Sequence, residues 1–575
     1  MLNSPHFVAF KLVLIALIWL VSSPFDALRA QQAATKTSSG VVVSQNVVAS
    51  EVGAAMLRDG GNAVDAAVAT AFALAVIHPA AGNLGGGGFL VWRGKKGATT
   101  TFDFREKAPL AATPEMFLNE NKRYDRARHH DSHLSVGVPG TVAGLAVAHR
   151  RLGRLPWRKL VAPAVALAES GFIVSAGFSA SLAAARSKFA PYPASMQTFF
   201  KSDGANYLAG DIFRQPELAA TLRRVMMEGP RGFYKGKTAD LLIAEMRRGG
   251  GVMSAEDLSA YRAQERAAVF GRYRGHRVIG MGPPSSGGIT LINMLNMLET
   301  FPMAPKIGAR AHLLSEVMRR GFADRARLLG DPDFNDPKSW RHLISKEHGR
   351  RRAADIDPKR ASTSVIDGFS WNFESEDTTH LSVIDAEFAA VALTYTLEQS
   401  YGSGIVVPGA GFLLNNEMGD FNPRRGMTSE RGHIGSEPNL VEPGKRMLSS
   451  MCPVIVEDRR GRLRFVLGTP GGRTIINTVM QVLVNGVDLG MGIQAAVNSP
   501  RIHHQWLPDQ IIAEEALNKA HFSKALEELG HKLSFRRRMG AAECLEVRWP
   551  VADKKAPGLI RAGVDPRAPD GGSRK

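Results

Sequence analysis

The chain has 575 residues, 44% of them hydrophobic, and a formal net charge of +18. Its length would allow several domains, yet no Pro/Ser-rich linker, repeat or low-complexity block divides it, which favours one large unit. The basic residues are scattered apart from short runs such as Arg536-Arg537-Arg538 and no recognition module accompanies them, so a solvated basic surface that draws in anions is favoured over a nucleic-acid partner.

At the N-terminus, Lys11 precedes the apolar run Leu12 to Val21, and Pro24 and small residues lead to Ala30. This is the layout of a secretory signal over residues 1–30, cut between Ala30 and Gln31, although Leu28 is not ideal for the site. The alternative is a retained anchor, for which the run is short. Removing residues 1–30 takes away Lys11, Arg29 and Asp26 and leaves a charge of about +17. Nothing later offers about twenty consecutive apolar residues, so the mature protein is expected to have no membrane span and to be periplasmic or secreted. An exported location permits a disulfide between Cys452 and Cys544, the only cysteines, but spacing does not show that they meet; two free, partly buried thiols are the alternative.

Val41 to Val48 reads as a first strand and Ser50 to Arg58 as a helix stopped by Gly60-Gly61. Asn62 then caps a helix to about His78 that is apolar almost all round, which places it inside a large protein. Strands follow at Phe89 to Trp92 and Thr99 to Phe104, and residues 140–330 read as largely helical. After Thr378 the pattern turns to strands: Leu381 and Val383, then Val391, Leu393 and Leu397, alternate with small or polar neighbours. Pro453 to Val456 and Leu463 to Leu467 form a second hairpin, and helices are predicted near 473–486 and 517–529. Helix-rich and strand-rich stretches on both sides of Thr378 imply sheets covered by helices, an α+β arrangement.

Thr378 carries the chemistry. Were the Asp377-Thr378 bond cut, this residue would own a hydroxyl and a free α-amine, a nucleophile with its own base. A hairpin turning near Glu387 sets Thr378 opposite Thr396, with Cβ atoms about 4.5–5.5 Å apart, close enough for one hydroxyl to orient the other. The turn Asp385-Ala386-Glu387-Phe388 lacks the glycine that would pin this register. Taken alone, the stretch reads better as an ordinary threonine-rich strand.

Other motifs decide the matter. Asp59 to Ala67, Gly85 to Phe89, Asp103-Phe104-Arg105-Glu106, Pro139 to Gly144, Pro283 to Gly288, Asp377 to Asp420, Lys445 to Met451, Gly468 to Arg473, Pro500 to Trp506 and Asp565-Pro566-Arg567 together resemble the γ-glutamyltranspeptidase (γ-glutamyltransferase) family, from about residue 40 to Arg567. The resemblance implies an N-terminal-nucleophile hydrolase fold, a four-layer αββα sandwich. It also implies self-cleavage between Asp377 and Thr378 into a large subunit, 31–377, and a small one, 378–575, which stay together as a heterodimer. Thr378 then attacks a γ-glutamyl amide such as glutathione or glutamine and passes the acyl group to water, an amino acid or a peptide. By the same resemblance Thr396 supports the nucleophile, and Gly471 and Gly472 supply oxyanion donors. Arg105, Ser449 and Ser450 hold the α-carboxylate of the donor, and Glu398, Glu417 and Asp420 hold its α-ammonium. Many members carry amides at the first two of those acid positions. Between Asp420 and Ser449 the segment has the length of the family's lid loop, with Arg431 where the lid tyrosine stands.

Because the nucleophile brings its own base, His380, His503 and His504 are expected to be structural. No metal or other cofactor is expected, since no HxxEH, CxxC or carboxylate cluster is seen, and Gly85 to Gly88 lacks the lysine of a phosphate loop and reads as close backbone packing near Arg105. Three alternatives share some of these features: a glutaryl (cephalosporin) acylase, a poly-γ-glutamate depolymerase, and an uncleaved protein that binds γ-glutamyl compounds without turnover.

Overall fold

A computed structural model describes residues 36–37, 39–365, 378–426, 436–550 and 557–575. Asp377, Arg431 and the N-terminal signal stretch lie outside these. Strand Thr379–Ile384 pairs antiparallel with Ala390–Thr396, Val383 opposite Val391 and Thr379 opposite Tyr395. One step further along the same register, Thr378 faces Thr396. The turn manages without glycine. Phe388 takes φ 60°, and the Asp385 carboxylate accepts from the N–H groups of Glu387 and Ala389, both at 2.9 Å, an Asx-type closure that does the pinning.

This hairpin is the middle of a seven-stranded sheet. From edge to edge it runs Gly572–Arg574, Val41–Ser44, Thr379–Ile384, Ala390–Thr396, Gly87–Arg93, Thr99–Phe104 and Gln264–Arg266. A second seven-stranded sheet runs Lys36–Thr37, Leu559–Val564, Glu543–Arg548, Leu463–Leu467, Val454–Glu457, His276–Gly280 and Val269–Tyr273. The period-two pattern sorts side chains between two cores. Val42, Leu381, Val383, Val391 and Leu393 pack with the helices Ala63–Ile77 and Trp157–Ser170. Val41, Val43, Phe89, Val91, Ala390 and Ala392 share a core with Val454, Val456 and Phe465 of the second sheet and with the helices Gly287–Leu298, Ile307–Leu328 and Thr474–Val487. The layers are therefore helix, sheet, sheet, helix. Each fully buried Leu or Phe in these cores is worth about 1.5–3 kcal/mol of transfer free energy.

Helix Ala63–Ile77 is buried along its whole length and opens on a reciprocal cap between Asn62 and Asp65. Two expectations need correction and one needs an addition. The first strand ends at Ser44 instead of Val48, because the Asn46 side chain accepts from the Val48 N–H at 2.9 Å and starts the helix Val47–Arg58 there. The stretch 140–330 is largely helical, as expected, but also holds the sheet strands Gln264–Arg266, Val269–Tyr273 and His276–Gly280, which the sequence pattern does not mark. They are short and carry charged residues such as Glu265, Arg272 and Arg277, so the apolar alternation that marks interior strands is missing. The helix expected over 517–529 is a single 3-10 turn, Glu515–Leu517, followed by Ala520–Glu527. Cys452 and Cys544 are both free and buried. Among the described residues no helix is long and apolar enough to cross a membrane.

Candidate active site

Thr378 sits at the head of a central strand, 7% exposed, and Thr396 ends the neighbouring strand at 3%. The Thr396 hydroxyl accepts from the Glu398 N–H at 2.9 Å, and its carbonyl accepts from Asn83 Nδ2 at 2.8 Å. Gly86 passes so close behind that a Cβ on it would lie 2.0 Å from the Thr396 carbonyl oxygen. The glycine run is thus packing, as expected from its lack of a phosphate-loop lysine.

Gly471 and Gly472 lie between strand Leu463–Leu467 and helix Thr474–Val487 with φ of 129° and 53°, values that suit glycine. The Thr474 hydroxyl donates to the Gly471 carbonyl at 2.6 Å. In a trans peptide this turns the Gly472 N–H to the opposite side, away from the helix.

Arg105 follows strand Thr99–Phe104 and is wholly buried. Its backbone is held at both ends, the N–H by Asp103 at 3.0 Å and the carbonyl by the Tyr261 hydroxyl at 2.8 Å. The guanidinium donates to the carbonyls of Met447 at 3.2 Å and Leu448 at 3.3 Å. It also pairs with Glu417 and Asp420, and Glu106 stands 3.6 Å from it. Burial alone would lower the Arg105 pKa, but Glu417, Asp420 and Glu106 outweigh it and hold the pKa up. Burial raises the carboxyl of Glu417 well above the usual range against the pull of Arg105, with Glu106, Asp420 and Glu398 adding repulsion. Both oxygens of Glu106 and Glu398 and one of Glu417 are buried without a hydrogen-bond partner among the described residues. Three acids, Glu417, Asp420 and Glu106, crowd one arginine, and a cation entering beside them would favour their ionised forms.

The segment that carries the Met447 and Leu448 carbonyls continues into Ser449 and Ser450. The motif Pro283 to Ser286 anchors it: the Ser449 N–H donates to the Pro284 carbonyl at 2.9 Å, and the Ser286 hydroxyl to the Ser449 carbonyl at 2.6 Å. Arg325 ties the pair together, Nε to Ser286 Oγ and an Nη to Ser450 Oγ, both at 2.8 Å. Sequence reading missed Arg325, and it missed Asn415, which accepts from the Glu417 N–H at 3.0 Å and donates to the carbonyls of Gly85 and Gly137 at 2.8 Å. Arg325 is an arginine nearly sealed inside a helix that packs on the core, but burial is invisible in a linear pattern.

The histidines read as structural are buried and bonded. His380 contacts the Thr394 and Ser382 hydroxyls at 2.8 and 3.0 Å, and His503 contacts Asn477 and Gln505 at 2.7 and 2.8 Å. Burial pushes both rings down to about 3, and His504 to about 4, so all are neutral near pH 7. The fold also gathers His312, Glu316 and His531, a trio no sequence motif announced. These groups are already engaged: His312 Nδ1 meets His531 Nε2 at 2.7 Å, and Glu316 accepts from Arg320 at 2.6 Å and the Ser362 N–H at 3.1 Å.

Glu106 gives a first prediction. Burial raises its carboxyl to about 8, although Arg105 pulls the other way. A raised folded value means that folding favours the neutral acid: the contribution is complete below the ordinary carboxyl range and is lost as pH rises towards the folded value. Glu106→Gln, which cannot ionise, is expected to gain thermal stability relative to the parent between about pH 5 and pH 8.5, as measured by denaturation scans across that range. Parallel pH profiles for the two would contradict it.

The sequence profile of the family described as gamma-glutamyltranspeptidase matches residues 49–574. The chain belongs to the γ-glutamyltranspeptidase family. The chain is similar to the "Glutathione hydrolase proenzyme" of Escherichia coli K12, 41% identical over 541 residues, covering 93% of this chain and 91% of the relative. Of solved structures, the γ-glutamyltranspeptidase of Helicobacter pylori is 41% identical with a TM-score of 0.54, covering 55% of this chain and 91% of that one. Cephalosporin acylase from Bacillus halodurans superposes with a TM-score of 0.81 at 25% identity, over 94% of this chain and 97% of that one. These γ-glutamyltranspeptidase and acylase likenesses agree on the N-terminal-nucleophile hydrolase fold.

Proposed function

We propose that this γ-glutamyltransferase and glutathione hydrolase matures and turns over through Thr378. In maturation the Thr378 Oγ attacks the Asp377 carbonyl carbon, the C–N bond breaks, and water hydrolyses the resulting ester to leave a carboxylate on Asp377 and a free amine and hydroxyl on Thr378. In turnover that amine takes the hydroxyl proton as Oγ attacks the γ-amide carbon. The oxyanion is held by N–H groups of Gly471 and Gly472, and Thr396 orients the nucleophile. The amine product leaves with the proton, and water or the amino group of an acceptor then attacks the ester and restores Thr378.

The observation that carries this reading is the charge pattern around Arg105, joined to the threonine pair through the Glu398 N–H on Thr396 Oγ1 at 2.9 Å. A γ-glutamyl group ends in an α-carboxylate and an α-ammonium. The Arg105 fork pairs with Glu417 and Asp420, so a bound donor shares it: its carboxylate meets Arg105, Ser449 and Ser450, and its ammonium enters among Glu398, Glu417 and Asp420. A glutaryl donor has no ammonium to enter among these acids, which argues against the acylase reading. The "proenzyme" name and the half-length match to the Helicobacter pylori chain support a heterodimer of residues 31–377 and 378–575. Glutathione and glutamine are the proposed donors, amino acids and peptides the acceptors, and the periplasm or exterior the location. The test is release of the aniline from a γ-glutamyl anilide with and without an acceptor dipeptide. Faster release with the dipeptide is expected, and turnover of the glutaryl anilide at the same rate as the γ-glutamyl one would sink the assignment of the pocket.

A further inference from the structure

Glu398, like Glu106, is an acid of the site with neither oxygen hydrogen-bonded among the described residues. Its φ of 79° is a left-handed value rare for a side chain with a Cβ, and its N–H is committed to Thr396, so the backbone is set while both carboxylate oxygens are buried and have no hydrogen-bond partner among the described residues. Facing it, the Nδ1 of His130 is buried and likewise has no hydrogen-bond partner among the described residues, 3.4 Å from Glu398 Oε1. The space between them exists because residue 419 is glycine: a Cβ there would lie 2.3 Å from His130 Nδ1 and 3.2 Å from Glu398 Oε1. His130 is itself held in place. Its carbonyl accepts from Asn416 Nδ2 at 2.9 Å, and the ring of His129, 4.5 Å away, is fixed by the Met418 carbonyl at 2.9 Å.

We propose that His130 is a positioning residue for Glu398: its Nδ1–H donates to Oε1 and leaves Oε2 aimed at the α-ammonium of the donor. The proposal rests on the reading of Glu398 as an ammonium ligand given above. A carboxylate has lone pairs for more than one donor, and a buried one left half-used is unfavourable. The imidazole takes one side and the ammonium the other, so a donor without the ammonium leaves Oε2 empty. The His130–Glu398 contact thereby becomes part of donor selectivity without touching the donor.

The experiment compares kcat/KM for γ-glutamyl anilide and glutaryl anilide in the parent, His130→Leu, His130→Asn, Gly419→Ala and Glu398→Gln, with appearance of the two subunits reporting that each variant has folded. His130→Leu keeps bulk and removes the donor; the γ-glutamyl preference is expected to fall about tenfold, mostly through KM. His130→Asn places an amide N–H near the position of Nδ1 and is expected to stay within about threefold of the parent. Gly419→Ala drives a methyl against Nδ1 and is expected to reproduce the loss even if His130→Leu does not fold. Equal losses in the Leu and Asn variants would mean that His130 only fills space, and the proposal is overturned. An unchanged preference in His130→Leu or Gly419→Ala, with a lowered one in Glu398→Gln, overturns it while leaving the role of Glu398 standing. An unchanged preference in Glu398→Gln overturns both.

Discussion

Thr378→Ala is expected to accumulate as one uncut chain with turnover at least about 10⁴-fold below the parent, the scale on which losing a nucleophile is felt. Both effects come from one atom. In the proposed mechanism the hydroxyl at the head of the strand attacks first its own preceding carbonyl and later the donor, and alanine removes it without disturbing the buried pairs that follow. Thr378→Ser keeps an oxygen and is expected to be cut, more slowly, since the methyl group that fixes the rotamer is gone. Denaturing electrophoresis and N-terminal sequencing read the cut, and anilide release reads the turnover. An active preparation with no chain beginning at Thr378 would contradict the mechanism outright.

Arg105→Lys is expected to lower kcat/KM for γ-glutamyl donors about 100-fold while leaving self-cleavage in place. The charge survives, but the fork that reaches Glu417, Asp420 and the Met447 and Leu448 carbonyls together does not. An ammonium cannot span those partners and also grip a carboxylate in two places. Kinetics of the cut variant that match the parent would remove Arg105 from the donor site.

How much of this is legible in the sequence depends on the range of the contacts. The hairpin and its register are legible because Leu381, Val383, Val391 and Leu393 face one core, and a slip of one residue would turn all of them towards the other sheet. The helix Ala63–Ile77 is legible because its cap and its apolar surface are both local. The start of the helix at Val47 is harder, since β-branched Val47 and Val48 look like strand and only the Asn46 side chain says otherwise. The resemblance assigns Arg105, Ser449, Ser450 and the three acids to one ligand, and the structure brings Arg105, Glu417 and Asp420 together. His130 could not be seen this way: it sits in the polar stretch Arg126-Ala127-Arg128-His129-His130-Asp131, and its meaning comes from Glu398 and Gly419, which are near it only in the folded chain. Arg325 and Asn415 are hidden for the same reason.

Each of the two sheets interleaves strands from before and after Thr378: Thr379–Ile384 lies between Val41–Ser44 and Ala390–Thr396, and Val454–Glu457 between Leu463–Leu467 and His276–Gly280. A chain cut ahead of Thr378 therefore stays knitted by main-chain ladders, but its refolding changes molecularity. The uncut precursor recovers from denaturant by a first-order process whose rate ignores dilution. Once cut and unfolded, the two pieces have to meet in solution with bare strand edges on each, so recovery becomes second order and competes with aggregation. The cut enzyme then persists by the slowness of its unfolding, a kinetic stability that the precursor does not need.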